Sequence, residues 1–422
     1  MATTLNASSS TIAQTAGVAD MRIPGTEPAH ARKPVLAILA DHPVQHFCPL
    51  YKELARNRSI GTTVIFANLK GAEAYFDKDF KKDISWGSEM LESFCYKNLD
   101  LPARPSFRQV WKRLAPILSN IRPNVVFVYG YSAPISRAAI AWARLRGTPL
   151  VMNSDSELRH PRPLLTQTAK KLVLPLLFRQ CDRFFTVGNA NEDYYLSYGV
   201  SRDKFVRTPF PIDSPIYDLA VRNREDIRKA VRSEIQVGES ASLILTVGKL
   251  IPRKGFDDLI LAFERTLEKP TSRKSYLLIA GDGPERTRLE ALAARIAPNV
   301  RFLGFVPVAV LPRFYVASDM YVHPSHADPH PLAVSEAIYC GLPVIASDRI
   351  GSIGPTDDVS PGVNGWSYPC GDVGALAGLL AEIMKNPMQL EKAKEASLDI
   401  GRKHMPDLIA PVIVDTVLSV AR

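Results

Sequence analysis

Residues 323–348 read HPSHADPHPLAVSEAIYCGLPVIASD, and this stretch decides the fold. The apolar runs MYVHP (residues 320–324) and LPVIAS (residues 342–347), bounded by Pro, Gly and Ser, predict two buried strands around a helix over residues 332–340. Asp328 and Glu336 lie on either side of the helix start. Backbone N–H groups at a helix start favour anions, whereas carboxylates accept hydrogen bonds from hydroxyls. The stretch therefore predicts a strand–helix–strand unit that holds a phosphorylated sugar, with cations from elsewhere neutralising the phosphates.

The same alternation of short apolar runs and helical patterns occupies most of the chain. One series runs from Lys33 to the irregular, proline-rich residues 210–215, and a second series follows. This pattern predicts an α/β protein of two doubly wound Rossmann-like domains, whose ligands lie at the carboxyl ends of the strands, in a cleft between the domains. The predicted boundaries are a disordered tail over residues 1–32, a first domain over 33–213, a second over 214–402 and a returning helix over 403–422.

Length, charge and cysteine content narrow the class of protein. The 422 residues suffice for two domains, and the net charge of +9 (52 Lys and Arg against 43 Asp and Glu) suits anionic partners. The five cysteines form no CxxC pair, which is typical of reduced thiols in a cytoplasmic protein. Residues 1–32 are rich in Ala, Ser and Thr and lack the apolar core of a secretory signal.

Two basic stretches, residues 101–123 and 159–183, interleave cations with apolar side chains. Each is compatible with a helix resting on an anionic membrane and with an ordinary surface helix packed by its apolar side. No run approaches 18 apolar residues, so a membrane contact would be peripheral, at the inner face.

The run GKLIPRKGFDDLI, residues 248–260, follows a predicted strand and brings Lys249, Arg253 and Lys254 to one turn. Arg engages phosphate oxygens with two hydrogen bonds and Lys acts as a compact charge, so the turn can receive a diphosphate. A solvated basic turn is the alternative. Because the turn and the acidic helix start both follow strands, the sequence favours the diphosphate.

Two glycine turns follow the next strands. Gly281 and Gly283 lie in GDGP between a strand and a helix, where they permit close approach of backbone to a ligand, although a plain turn has the same sequence. Gly304 precedes Phe305 and Val306, whose backbone could pair with a nucleobase.

Together these runs resemble a known family. TVGKLIPRKGFDDLILAF, LIAGDGPERTRLE, RFLGFVP, YVHPSHADPHPLAVSEAIYCGLPVIASD and GVNGWSYPCGD, in that order over residues 241–380, are similar to the C-terminal half of family 4 glycosyltransferases with the GT-B fold. Upstream, CDRFFTVGNANEDYYLSYGVSRDKFVRTPFPID is similar to the end of that family's first domain. The resemblance implies a retaining hexosyltransferase that uses a nucleotide sugar as substrate and needs no metal or other cofactor.

The resemblance also implies roles for individual residues. Lys254 matches the family's diphosphate-binding Lys, and Lys249 stands where Arg is usual, with Arg253 beside it to compensate. Glu336 matches the second Glu of the family's Glu-x7-Glu element, which binds ribose, and Asp328 takes the first position, which holds donor-sugar hydroxyls. DPHPL replaces the usual Glu-Pro-Phe-Gly-Leu, and its second proline lacks the N–H that the family's Gly offers.

The first domain supplies candidates for the acceptor. DHPVQH fills the place of a glycine-rich loop, and DSELRH follows a strand where the family has a His near the reacting carbon. Hydrogen-bonded loop histidines and a charged surface loop are the alternatives. The predicted catalytic residues are Lys254, Arg253, Asp328 and Asp155. The predicted donor-binding residues are Gly248, Lys249, Lys254, Gly281, Phe305, Val306, Asp328, Leu332, Ala333 and Glu336. The predicted acceptor-binding residues are His42, Gln45, His46, Glu157 and His160.

The leading hypothesis is transfer of a sugar to a saccharide or lipid-linked acceptor during assembly of cell-surface polysaccharide or glycolipid, with no nucleic-acid partner. A sugar-nucleotide epimerase of similar build and a weakly active, nucleotide-sugar-binding partner subunit remain alternatives. A dehydrogenase is disfavoured because no G-x-G-x-x-G follows the first strand.

Overall fold

The structure, a computed structural model, describes residues 33–73, 75–77, 82–84, 87–160, 163–268 and 274–421. The predicted disordered tail, residues 1–32, lies outside these described residues. Within the described chain, no helix has both the length and the apolar character needed to cross a membrane.

The first domain is a parallel sheet covered by helices on both faces. Its strands are β1 (Val35–Ala40), β2 (Gly61–Phe66), β3 (Tyr75–Asp77), β4 (Lys82–Ile84), β5 (Tyr96–Asn98), β6 (Val125–Tyr129), β7 (Leu150–Ser154), β8 (Arg183–Thr186) and β9 (Phe205–Arg207). Its helices are α1 (Cys48–Arg56), α2 (Phe107–Ile121), α3 (Pro134–Arg146), α4 (Leu164–Phe178) and α5 (Asn189–Ser197). The sheet has the order β5-β2-β1-β6-β7-β8-β9, and β3 pairs with β4 in a separate antiparallel ribbon.

The second domain repeats this architecture. Its strands are β10 (Ser242–Val247), β11 (Ser275–Ala280), β12 (Val300–Gly304), β13 (Met320–His323), β14 (Val344–Ser347) and β15 (Gly365–Tyr368). The helices of this part are α6 (Ser214–Arg222), α7 (Arg224–Glu234), α8 (Phe256–Leu267), α9 (Arg286–Leu292), α10 (Leu311–Ala317), α11 (Leu332–Tyr339), α12 (Val373–Met384), α13 (Pro387–Gly401) and α14 (Pro406–Val420). The strand order is β12-β11-β10-β13-β14-β15, with all pairs parallel. The prediction of two doubly wound α/β halves is therefore confirmed.

Alternating burial explains why both faces of each sheet need helices. In β1, Ala37 and Leu39 join the core layer under α2 and α3, whereas Leu36 and Ile38 join the layer under α1. Successive side chains of a strand point to opposite faces of the sheet. A strand whose side chains are all apolar is therefore buried only when helices cover both faces.

One polar stretch of the second domain forms two helices where its pattern is typical of one. The polar pattern at residues 217–235 is typical of a single helix, but the structure divides it into α6 and α7 at Asn223, whose backbone is not helical (φ −101°, ψ 26°). The Asn223 side-chain amide donates to the carbonyl of Leu219 at 2.9 Å. Such local side-chain bonds compete with the helical ladder and end helices.

Two crossings connect the domains. The chain passes into the second domain through residues 208–213, and α14 returns to pack Ile413 and Val417 against the β1 face that carries Leu36 and Ile38. Where the crossings meet, the backbone N–H of Ile212 donates to the carbonyl of His404 at 3.1 Å.

The loop after β14 also holds the two domains together. Asp357 pairs with Arg207 of the first domain at 3.0 Å and accepts from the backbone N–H of Asn189 at 2.7 Å. Arg159 donates to the carbonyl of Ile353 at 2.8 Å. These contacts join the loop after β14 to the first domain.

Candidate active site

A cleft of about 690 Å³ lies between the domains. Its lining from the first domain follows the carboxyl ends of β1, β6 and β7, and its lining from the second domain comes from the loop between β13 and α11. The lining residues that carry the argument are Asp41, Tyr129, Asp155, Lys170, His330 and Leu332. Both sheets thus present the edge at which open α/β sheets bind ligands.

Three glycine turns of the second domain meet at this edge. Gly248 donates its N–H to the carbonyl of Ala280 at 3.0 Å, and Gly281 donates to the carbonyl of Gly304 at 2.8 Å. A Cβ on residue 281 would lie 1.8 Å from the carbonyl oxygen of Gly248, so only glycine fits there. The motifs that the sequence separates by more than 50 residues therefore form one continuous backbone surface.

The basic turn after β10 is bonded to the loop after β13. The carbonyl of Arg253 accepts from the N–H of His326 at 2.9 Å, and its guanidinium donates to the carbonyl of Ala327 at 3.0 Å. Gly255 adopts a left-handed backbone (φ +64°), and a Cβ there would lie 2.3 Å from the carbonyl oxygen of Pro324. This close approach brings the predicted cations to the acidic loop.

Lys254 forms an ion pair with Asp328, and the side chains are 14% and 13% exposed. Asp328 also accepts from Nε2 of His323 at 3.2 Å, whose Nδ1 lies 3.1 Å from the hydroxyl of Tyr321. Burial by itself would raise the pKa of Asp328, but the His323 hydrogen bond and the Lys254 charge outweigh it and hold the pKa below its usual range. Burial also lowers the pKa of His323. Asp328 is therefore an ionised acceptor held beside a cation.

Glu336 lies one helical turn inside α11. It accepts from the hydroxyl of Tyr315 at 2.8 Å, and with Leu332 it lines a neighbouring cavity of about 290 Å³. Burial raises the pKa of Glu336, and the hydroxyls of Tyr217 and Tyr315 partly oppose that effect. Ala333 lies in the first turn of α11, where its carbonyl accepts from Tyr315 at 3.2 Å. Pro331 is the N-cap residue of α11.

His42, His46 and Asp155 of the first domain line the cleft. Burial, with a smaller effect of His330, lowers the pKa of His46 to about 3, so its imidazole is neutral near pH 7. The side chain of Asp155 opens onto the cleft, yet the surrounding protein removes enough water to raise its pKa, and the charges of His330 and Asp328 act on it. Asp155 therefore approaches the acidic loop from across the cleft.

The other predicted acceptor residues lie outside this cleft lining. Glu157 and His160 are paired with each other and line a cavity of about 260 Å³, whose wall shares Lys170 with the cleft. Gln45 lines the 290 Å³ cavity together with Glu336.

The remaining donor candidates lie along the second sheet. Lys249 is partly buried directly after β10, Phe305 is 36% exposed after β12, and Val306 packs on the core. Their roles in binding stay predictions. Within the described residues, no group of three or more His, Cys, Asp or Glu side chains is placed to hold a metal ion.

Sequence reasoning missed a buried polar cluster beside the cleft. It consists of His330, Asp358, His404 and the carbonyl of Phe210, which the fold gathers from four separate segments. DPHPL was the available signal, because it places a histidine where the resembling family has phenylalanine. No spacing pattern links Asp358 to His404.

Comparison with known proteins supports the resemblance. Residues 227–399 match the family model described as glycosyl transferases group 1. An uncharacterized glycosyltransferase of Methanocaldococcus jannaschii is 36% identical over 141 residues, which cover 33% of this chain and 35% of that protein. The GDP-mannose-dependent monoacylated alpha-(1-6)-phosphatidylinositol monomannoside mannosyltransferase of Corynebacterium glutamicum is 30% identical over 42% of this chain and 46% of its own length. The alignments thus span less than half of the length of these relatives.

The solved structure of Anabaena HepE in complex with UDP is similar to the whole two-domain unit. It has a TM-score of 0.68 at 18% identity, and the alignment covers 92% of this chain and 100% of the other. At this identity the likeness establishes the fold, which is GT-B, as the sequence predicted.

Proposed function

We propose that this chain transfers a sugar from a nucleotide-sugar donor to a saccharide or lipid-linked acceptor, with retention of anomeric configuration. The proposal starts from the match of the second domain to the group 1 glycosyltransferases. The pairing of Lys254 with Asp328, two residues before the cleft-lining His330, carries the proposal. It joins a cation for the diphosphate to a carboxylate for the sugar hydroxyls, at a helix start that favours anions.

Donor binding exchanges the partners of these groups. The diphosphate binds Lys254, together with Arg253 and Lys249 at the same turn. The sugar hydroxyls then donate to the carboxylate of Asp328, which Lys254 no longer contacts. Glu336, one turn along α11, accepts from the ribose. Three cations supply the charge that a metal would otherwise supply, so we propose that transfer is independent of metal.

In the transfer step, the acceptor oxygen forms its bond to the anomeric carbon on the face from which the phosphate oxygen departs. The proton of the acceptor hydroxyl passes to that departing phosphate oxygen, so no strong protein base is needed. Lys254 and Arg253 stabilise the negative charge that develops on the leaving nucleoside diphosphate. Asp155 orients the acceptor hydroxyl, and the cleft residues His42 and His46 bind the rest of the acceptor.

The surface of α4 favours a lipid-linked acceptor. Five large apolar side chains are exposed on it, with fractions of 57–87%, namely Leu164, Leu165, Leu172, Val173 and Leu176. The helix carries Lys170 and Lys171 and no acidic residue, and Lys170 also lines the cleft. We therefore place the enzyme in the cytoplasm, with α4 resting on the anionic inner face of the membrane in cell-surface polysaccharide or glycolipid synthesis.

The donor is tested by the thermal stability of the purified protein with UDP-, GDP-, ADP- and dTDP-sugars. A ligand at 100 times its dissociation constant adds about 2.7 kcal/mol to the free energy of unfolding. We expect one nucleotide class to stabilise the wild type and to lose its effect in Lys254→Ala. If no donor shifts the transition, the proposed transferase activity is wrong for the isolated chain.

The membrane contact is tested by cosedimentation with phosphatidylcholine vesicles that contain or lack phosphatidylglycerol. We expect binding to the anionic vesicles only, and we expect Leu165→Ser with Leu172→Ser to abolish it while donor binding persists. Equal binding of the double variant would contradict the role of α4.

A nucleotide-sugar-binding partner subunit is the second candidate, because Pro331 at the N-cap of α11 has no N–H for the donor. Donor-dependent stabilisation without transfer to any acceptor would favour it. Interconversion of donor sugars without an acceptor would instead favour the epimerase alternative.

A further inference from the structure

His330 is a buried side chain with unused hydrogen-bonding capacity beside the cleft. Its side chain is 1% exposed, and neither ring nitrogen has a hydrogen-bond partner in the described structure. The nearest carboxylate oxygen, on Asp358, lies 3.6 Å from Nε2, beyond hydrogen-bond distance. Buried polar atoms are normally paired, and His330 lines the cleft. Its missing partner is therefore expected to come from a ligand in the cleft.

The ring is nevertheless held firmly. The ring of Phe210 meets the imidazole of His330 edge-on, with centroids 4.8 Å apart and planes at 80°. Asp358 is fixed by the hydroxyl of Ser335 at 2.7 Å and by Nε2 of His404 at 3.0 Å, and Nδ1 of His404 donates to the carbonyl of Phe210 at 2.7 Å. The same residue, Phe210, thus packs on His330 and anchors the histidine that holds Asp358.

Charge in this cluster is already balanced. Because both ring nitrogens of His404 face acceptors, its imidazolium is the ion-pair partner of Asp358. His330 therefore faces a compensated carboxylate. The two ring nitrogens of His330 can each exchange a hydrogen bond with a hydroxyl group, which both donates and accepts.

The position of His330 indicates that this hydroxyl belongs to the sugar of the donor. Two residues earlier lies Asp328, the proposed acceptor for sugar hydroxyls, and Asp155 approaches both from across the cleft. We propose that His330 binds a hydroxyl group of the transferred sugar and contributes to sugar choice, with Asp358, His404 and Phe210 as positioning residues. This inference rests on the proposed function and assigns a specificity role at the same site.

The chain offers matched variants. His330→Phe keeps the aromatic shape and removes both ring nitrogens, whereas His330→Gln keeps a donor and an acceptor. His326→Gln is the control from the same loop, because His326 is 41% exposed and pairs with Asp258 at 2.7 Å.

The measurement is isothermal titration of UDP, UDP-glucose, UDP-galactose, GDP and GDP-mannose into each variant. The readout is the ratio of the dissociation constant of the nucleoside diphosphate to that of its sugar nucleotide. We expect His330→Phe to lower this ratio about five-fold, the effect of one neutral hydrogen bond, and to bind the diphosphate within about two-fold of the wild type. His330→Gln should retain most of the ratio, and His326→Gln all of it.

The titration results test the contact of His330 with the sugar separately from the proposed donor binding. An unchanged ratio in a folded His330→Phe protein overturns the sugar contact and leaves the donor site intact. Equal loss of affinity for diphosphate and sugar nucleotide assigns His330 a purely structural role, which also overturns it. A wild-type protein that binds none of the five compounds and is stabilised by no ADP- or dTDP-sugar rejects the proposed donors and this inference together.

Discussion

Replacing Lys254 by Ala should have two separable effects, one on stability and one on donor binding. In the free protein, the variant leaves Asp328 ionised and largely buried, with His323 as its remaining partner. Removing one member of a buried pair costs about 3–5 kcal/mol, and the surviving His323 bond places this case near about 3 kcal/mol. For a chain of 422 residues that unfolds as one unit, that loss corresponds to a lowering of the unfolding temperature by about 3 °C.

Donor binding should weaken for a different reason. A hydrogen bond to a charged group contributes about 1.5–3 kcal/mol, so loss of the Lys254 contact with the diphosphate should raise the dissociation constant about 10- to 150-fold. Turnover should fall about 100-fold or more, because the cation also stabilises the departing diphosphate.

The double variant Lys254→Ala with Asp328→Asn separates these effects. It contains no unpaired buried charge, so calorimetry should show most of the stability restored, while titration with the donor should still show weak binding. Lys394→Ala, whose lysine pairs with Glu391 on α13, is the control for loss of a surface cation. Donor affinity within about two-fold of the wild type in Lys254→Ala would refute the assigned role, and an unchanged unfolding temperature would refute the stability argument.

Three further predictions concern the same region. Glu336→Gln should raise the dissociation constant of the nucleoside diphosphate about ten-fold by weakening a charge-assisted ribose contact, and unchanged affinity in titration would count against that contact. Gly255→Ala, which needs a left-handed backbone and places Cβ 2.3 Å from a carbonyl oxygen, should destabilise the protein by about 1–3 kcal/mol, whereas Gly238→Ala, with open space around Cβ, should not. Burial alone would lower the pKa of His404, but the charge of Asp358 outweighs burial and raises the pKa. The ion pair between His404 and Asp358 therefore stabilises the fold fully below about pH 6.5, and this stabilisation is lost as pH rises through the folded-state pKa of His404. His404→Gln should therefore flatten the decline of unfolding temperature with rising pH, and an identical pH profile would contradict the ion pair.

Local patterns were sufficient for much of the fold. The apolar run MYVHP predicted β13, and the helix expected over residues 332–340 is observed as Leu332–Tyr339. The helix break at Asn223 was harder to predict, because a single side-chain amide that donates to the carbonyl of Leu219 ends α6 without disturbing the surrounding polar pattern. Helix α13 was not predicted at all, since its sequence carries few apolar residues to mark a buried face.

Some residues of the candidate site were predictable from the sequence, and others were not. Lys254, Asp328 and Glu336 were accessible from the sequence because they lie in motifs that resemble family 4 glycosyltransferases, in the turn after β10 and in the loop and helix after β13. Parallel strands end at one edge of the sheet, so these segments lie close together. Among the acceptor candidates, the sequence could not separate His42 and His46, which line the cleft, from Glu157 and His160, which pair beside a neighbouring cavity.

The sequence alone was enough to predict two doubly wound α/β halves and, through a family resemblance, to predict donor motifs in the second half. The first rests on periodicity, which is a property of neighbours along the chain, and the second rests on the ordered motifs that resemble family 4 glycosyltransferases. Only the tertiary structure decided that Lys254 pairs with Asp328, and that Phe210, His330, Asp358 and His404 form one buried cluster. Such contacts depend on how separate segments pack, because burial and charge pairing act across space, whereas a sequence pattern records only separation along the chain.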